Sequence, residues 1–264
     1  MEPWTLRRVT VRDLDVALRE RGNGPPVLLV HGNASSSVWW EPTLDRVPHT
    51  WHWLAPDLRG RGETIGPSAG WTIPSLARDL VGVLDALDVE AAHLVGHSLG
   101  ANVAMELALE APGRVRSLCL LNPGWVAGDI PAPLADDARL AAVANQPALL
   151  RVLLRAVAPK HPEGPAWDRL VTSSLRQTPD ATLEGGRAYR QWNVAARLHE
   201  LRGPVTILRG EGDVGLSTAA LCESLARAIA GAVLVTIPNA THAPNVEQPV
   251  AFVAALMDHL RRKS

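Results

Sequence analysis

Residues 93–101 read H-L-V-G-H-S-L-G-A. An apolar run, Ala92–Val95, ends at this point and an Ala-rich helical stretch, Leu99–Ala111, begins, with a serine set between two glycines at the join. A plain strand-to-helix turn prefers Asn, Asp or Gly. Gly96-His97-Ser98-Leu99-Gly100 instead suits a tight, strained turn that lifts a hydroxyl clear of a sheet, while the first N–H groups of the next helix aim at the same point. A hydroxyl is a poor nucleophile until a base takes its proton and donors hold the oxyanion. Ser98 therefore sends the search outward, for a sheet to carry it and for partners to activate it.

The sheet is legible on both sides. Pro26–Val30, Trp51–Ala55, Ser117–Leu121, Val205–Leu208 and Ala232–Ile237 are short runs, apolar at nearly every position, as strands covered on both faces are. Ser75–Leu87, Ser217–Ala230 and Glu247–Arg261 carry helical patterns between and after them; in the first, Leu76, Leu80, Val83, Leu84 and Leu87 fall on one face. Val9–Leu18 alternates at period two and reads as an antiparallel hairpin ahead of the parallel part. The expected fold class is α/β, a doubly wound, mostly parallel sheet. The rhythm breaks between Val126 and Leu201. Leu134–Ala144, Pro147–Ala158, Pro165–Leu175 and Thr182–Leu198 look helical and prolines punctuate them. The expected organisation is an α/β core over 1–125, a helical cap or lid over 126–201, and the rest of the core over 202–264.

Ligands of such a sheet bind beyond the carboxyl ends of its strands. His242, in Pro238-Asn239-Ala240-Thr241-His242-Ala243-Pro244, follows the run ending at Ile237 and is the candidate base. His97 neighbours the serine but points away on such a turn and is read as support; His31 is read as a brace for its loop. The acid that fixes the imidazole tautomer is expected at Asp213, in Arg209-Gly210-Glu211-Gly212-Asp213, with Glu211 and Asp129 as rivals; Asn122 is not ionisable. Oxyanion donors are expected from the Leu99 backbone N–H and from that of Asn33 or Ala34, in the loop after the first parallel strand. The Asn33 side chain also lies within reach of a substrate.

The order Ser98…Asp213…His242, together with His31-Gly32, Asp57-Leu58-Arg59-Gly60-Arg61-Gly62 and Gly96-His97-Ser98-Leu99-Gly100, resembles the α/β-hydrolase superfamily over nearly the whole chain. Within it the chain looks most similar to the serine-nucleophile esterases, enol-lactonases and carbon–carbon hydrolases. The resemblance implies that 126–201 is the family's cap. His31-Gly32-Asn33 is shared in form with haloalkane dehalogenases, but those use an aspartate where Ser98 stands. Epoxide hydrolases need that aspartate and cap tyrosines, and Tyr189 is the single tyrosine here. The acid loop also lacks the proline common a few positions after the acid.

Composition narrows the partners. The 264 residues hold 26 basic and 27 acidic side chains, a net charge of −1, so no basic surplus points to nucleic acid or an anionic membrane. The N-terminal M-E-P-W-T-L-R-R lacks an apolar signal core and no apolar run approaches a membrane span; a soluble, cytoplasmic protein acting on a small molecule is expected. Cys119 and Cys222 do not make a metal-type pair, and neither metal nor organic cofactor is expected. Nine tryptophans supply large apolar surfaces. Trp125, at the start of the insertion, is the favoured pocket wall, with Trp39, Trp167 and Trp192 beside it. Arg187 and Arg190 are read as a solvated helix face, with a carboxylate site as the lesser reading. The leading expectation is a serine hydrolase of a small, fairly apolar carboxylic ester or lactone. Alternatives are the same constellation used for acyl transfer, elimination or cyclisation in secondary metabolism, and a non-catalytic ligand-binding protein.

Overall fold

The computed structural model describes residues 4–131 and 136–262. Strands β1 (Thr5–Val11), β2 (Leu14–Arg21), β3 (Pro26–Val30), β4 (His52–Pro56), β5 (Ala92–His97), β6 (Val115–Leu121), β7 (Val205–Gly210) and β8 (Val233–Ile237) form one sheet in the order β1-β2-β4-β3-β5-β6-β7-β8. The pairs β1–β2 and β2–β4 are antiparallel and the rest are parallel. The α-helices among the described residues are α1 (Glu41–Leu44), α2 (Ile73–Ala86), α3 (Leu99–Glu110), α4 (Asp137–Asn145), α5 (Pro147–Val157), α6 (Pro165–Ser174), α7 (Pro179–Gln191), α8 (Ala219–Ala228), α9 (Pro244–Glu247) and α10 (Pro249–Leu260).

The strand pleat explains why the central runs are apolar at every position. Leu28, Val30, Leu94, Leu118, Leu120, Val205 and Ile207 pack on the side of α2, α3 and α8. Val27, Leu29, Val95, Cys119, Leu121 and Leu208 face the other way, onto Trp40, Leu44, Phe252 and Leu256 of the α1 and α10 side. Successive residues thus enter two separate cores. β8 departs from the expectation of a strand covered on both faces: it is an edge strand, and Val233 and Thr236 are exposed. α2 starts where the sequence places a full capping box, Thr72 and Ser75 bonding each other's backbone N–H, with Pro74 in the first turn.

Between β6 and β7 the chain leaves the sheet and runs through α4 to α7. The expected start of the first of these helices, at Leu134, lies outside the described residues; the fourth ends at Gln191, before Val194 and the turn Ala195–Glu200. Among the described residues of this insertion, buried apolar side chains cluster with residues from outside it. Ala181, Ala188 and Trp192 join the α2–α3 core. Leu150, Leu154, Trp167 and Val171 cluster with Ala34, Val38, Trp39 and Val246. Among the described residues no single helix is long and apolar enough to cross a membrane.

Candidate active site

Ser98 stands between β5 and α3 with φ 52° and ψ −120°, a conformation that costs a non-glycine residue about 1–3 kcal/mol. The flanking glycines permit it by close approach. A Cβ on Gly100 would lie 2.2 Å from the Val30 carbonyl, and one on Gly96 would lie 2.2 Å from the Gly100 carbonyl. The turn is therefore pressed onto β3, and Ser98 N–H donates to the Leu121 carbonyl at 2.9 Å. Leu99 opens α3, so its amide belongs to the first turn, where no carbonyl one turn earlier takes it.

His242 and Asp213 arrive from separate loops at the same end of the sheet. The Ser98 hydroxyl donates to His242 Nε2 at 2.9 Å, and His242 Nδ1–H donates to Asp213 Oδ2 at 2.5 Å. His242 and Asp213 are each 4% exposed. Asp213 also accepts from the Leu216 and Ser217 amides at 3.0 and 3.1 Å and from Asn122 Nδ2 at 2.7 Å. Burial alone would raise its pKa; the hydrogen bond and charge of His242, with the two amides, outweigh burial and hold the carboxyl well below its usual range. It stays a carboxylate and fixes the His242 tautomer whose Nε2 accepts the serine proton. The rivals lie elsewhere. Asp129 is exposed, and Glu211 is exposed with its carboxylate on the Asn239 amide.

Two further histidines brace the site. His97 Nε2–H donates to the His242 carbonyl at 2.7 Å, with the two rings 5.2 Å apart. Burial and then the neighbouring His242 pull its pKa down to about 3, so it remains neutral. His31 donates through Nδ1 to the Gly32 carbonyl and accepts the Leu58 amide at Nε2, which pins the Asn33 loop to the segment after β4. Ala34 in that loop has φ 53°.

Ser98 and His242 open into a cavity of about 300 Å³, with Asn33 beside them and Leu140, Val143 and Leu153 of α4 and α5 opposite. Of the four tryptophans expected as walls, Trp125 lines this cavity. The other three are structural. Trp39 is buried, donates Nε1–H to Ser174 Oγ and meets Trp167 edge-on at 6.5 Å. Trp167 is covered by Arg155, 3.8 Å over its ring. Trp192 is buried with its Nε1–H on Glu106. Each large apolar face is satisfied by packing and each buried Trp39 and Trp192 N–H by an internal acceptor, which leaves nothing for a ligand. Arg187 and Arg190 both bind Asp137 and leave no carboxylate site.

Two site residues escaped the sequence. Asn122 follows directly on β6 and, besides Asp213, serves the Thr241 carbonyl through Nδ2 and the Gly210 amide through Oδ1. It joins the acid loop to the histidine loop; its position at a strand's carboxyl end was the available signal, masked by its lack of charge. Tyr189 of α7 reaches down to the cavity, edge-on to Trp125 at 5.9 Å, and burial raises its phenol pKa. Its being the single tyrosine of the chain, inside the insertion, was the signal there. Among the described residues no cluster of His, Cys, Asp and Glu is arranged to hold a metal ion.

Comparison with known proteins was made against this geometry. A family model described as the alpha/beta hydrolase family matches residues 27–256. A protein of Variovorax paradoxus (strain S110) named as a carbamate hydrolase is 32% identical over 92% of this chain and 94% of its own length. The 2-(acetamidomethylene)succinate hydrolase of Mesorhizobium japonicum is 30% identical over 96% of this chain and 94% of its own. A thermophilic esterase from Thermogutta terrifontis, solved with malate bound, is 25% identical and superposes with a TM-score of 0.86 over 97% of this chain and 98% of its own.

Proposed function

The chain belongs to the alpha/beta hydrolase family and is a hydrolase, and from that premise we propose that it cleaves a small, fairly apolar carboxylic ester or lactone through an acyl-enzyme on Ser98. The observation that carries the reading is the unbroken hydrogen-bond chain from the Ser98 hydroxyl through His242 to Asp213, opening into the apolar cavity. His242 takes the serine proton, and Ser98 Oγ attacks the carbonyl carbon. The negative charge that forms on the carbonyl oxygen is held by the Leu99 N–H and by the backbone N–H at Asn33. The imidazolium, steadied by the Asp213 carboxylate, then gives its proton to the leaving group; water, deprotonated by the same base, attacks the acyl-enzyme, the acid leaves, and Ser98 Oγ takes the proton back. Residues 126–201 act as the cap over this reaction.

A second reading takes a carbamate or amide as the scissile group; the two relatives named for such substrates favour it. Both readings share the acyl-enzyme. A fluorophosphonate probe is expected to label wild-type protein at Ser98 and to leave Ser98→Ala unlabelled, as found by peptide mass. Wild-type protein that stays unlabelled while folded overturns the acyl-enzyme and returns the chain to the ligand-binding alternative. A panel of esters, lactones, thioesters and carbamates with product analysis then separates the scissile groups, and separates hydrolysis from transfer.

A further inference from the structure

Arg61 follows β4 and is 1% exposed. Among the described residues no carboxylate pairs with it. One guanidinium nitrogen donates to Asn33 Oδ1 at 2.5 Å and to the Ala181 carbonyl at 2.7 Å; the other donates to Thr182 Oγ1 at 3.3 Å. Its Nε has no partner, and Trp71 lies under it at 5.2 Å. A cation buried without a counter-ion is costly to keep. Burial pulls its pKa down to about 9, which still leaves it charged at neutral pH.

Its effect on Asn33 follows from the chemistry of the two groups. A guanidinium has donors and no acceptor, so it takes the amide oxygen of Asn33 and turns the amide nitrogen away. The helix α7 closes the third side. A Cβ on Gly185 would lie 2.6 Å from Asn33 Oδ1 and 3.0 Å from Nδ2, so the amide is clamped flat between Arg61 and the helix backbone. Asn33 also lines the cavity beside Ser98, and among the described residues nothing accepts from its Nδ2.

We propose that Asn33 Nδ2 is a binding donor for a carbonyl or carboxylate oxygen on the acyl part of the substrate, and that Arg61 is the positioning residue that keeps the amide turned toward it. The role is separate from any oxyanion contact of the Asn33 backbone N–H, which the Asn33→Leu substitution used below retains. The uncompensated charge of Arg61, close behind the amide in a region that water does not reach, strengthens the donor and favours an electron-rich oxygen. The substrate class is thereby narrowed to acyl groups that carry a second oxygen function. The inference rests on the acyl-enzyme reading above.

The test compares kcat/KM for p-nitrophenyl 4-oxopentanoate with that for p-nitrophenyl pentanoate, acyl chains of equal length that differ in one carbonyl. Intrinsic reactivity cancels when the ratio is compared between variants. Asn33→Leu is expected to lower the oxo-to-plain ratio about tenfold. Arg61→Met is expected to lower it to the same level, and to change nothing further in the Asn33→Leu background. Arg61→Lys, which keeps the charge without the fork, replaces Arg61→Met if that variant does not fold, with an intermediate ratio expected. Fluorophosphonate labelling is scored first in each variant. An unlabelled wild type overturns the acyl-enzyme, whereas labelled protein with an unchanged ratio in Asn33→Leu overturns only the Asn33 donor. Independent, multiplying effects of the two substitutions overturn the positioning role of Arg61.

Discussion

The floor of the cavity and its roof differ in what holds their side chains. On the floor, Ser98, His242 and Asp213 are fixed by directional bonds; Asp213 alone accepts four, and His242 is held from behind by His97. On the roof, Leu140, Val143 and Leu153 of α4 and α5 present apolar surface, while Leu149 and Val152 are 38% and 67% exposed. Proton transfer requires angles and distances, which hydrogen bonds and a strained backbone set. Recognition of an apolar group requires volume, which interchangeable side chains supply. On the proposed function, the floor is therefore expected to tolerate little substitution and the roof to be where selectivity is adjusted.

The sharpest break in this contrast is at the base. His242→Ala is expected to lower kcat by about 10⁴–10⁶ on any ester the protein turns over, with the thermal unfolding midpoint little changed. A loss below a hundredfold means that another group takes the proton. Next comes the outer layer of the insertion. Trp167→Ala removes a buried ring that packs on Trp39 and under Arg155, and about 3–5 kcal/mol of stability should go with it in denaturant titration. An effect under 1 kcal/mol would show that the insertion is not braced at this point.

Acid separates floor from roof by charge. His97 has a folded pKa lowered by burial from 6.5 to about 3, and His31 one lowered to about 4. Below pH 6.5 the unfolded chain binds protons that the folded floor refuses. Their contribution to stability is thus complete above pH 6.5 and is lost as pH falls toward 4. Denaturant midpoints should decline over that window, and His97→Gln should remove about 2 kcal/mol of the decline between pH 6.5 and 5. A slope identical to that of the wild type removes His97 from the account. The smallest effect belongs to the roof. Leu153→Ala enlarges the cavity opposite Ser98, and its kcat/KM should shift about tenfold toward acyl chains one or two carbons longer. An unchanged chain-length profile would place the acyl group elsewhere.

The contrast also sorts what the sequence made legible. β3 coincides with the run Pro26–Val30, and β5 to β7 extend their runs by only a residue or two, because a strand buried on both faces must be apolar throughout. Ser98, Asp213 and His242, which the structure joins in one hydrogen-bond chain, were singled out by position, each past a strand's carboxyl end. Asn122 shares that position and was passed over for want of charge, though its amide links the two loops that must meet. The tryptophans misled in the opposite direction. Trp39, Trp167 and Trp192 carry the composition of a pocket wall, and whether an apolar face meets a ligand or another side chain depends on what folds against it.

By itself the sequence determined the parallel sheet, the turn that presents Ser98 and the loops that bring its partners, because these depend on patterns within ten residues and on the fixed polarity of the strands. Only the tertiary structure decided which tryptophan borders the cavity, that Asp137 occupies Arg187 and Arg190, and that Arg61 faces Asn33 with no carboxylate paired to it among the described residues. Those outcomes join residues 28 to 64 positions apart, and pairings at such range are set by packing, which no local pattern encodes.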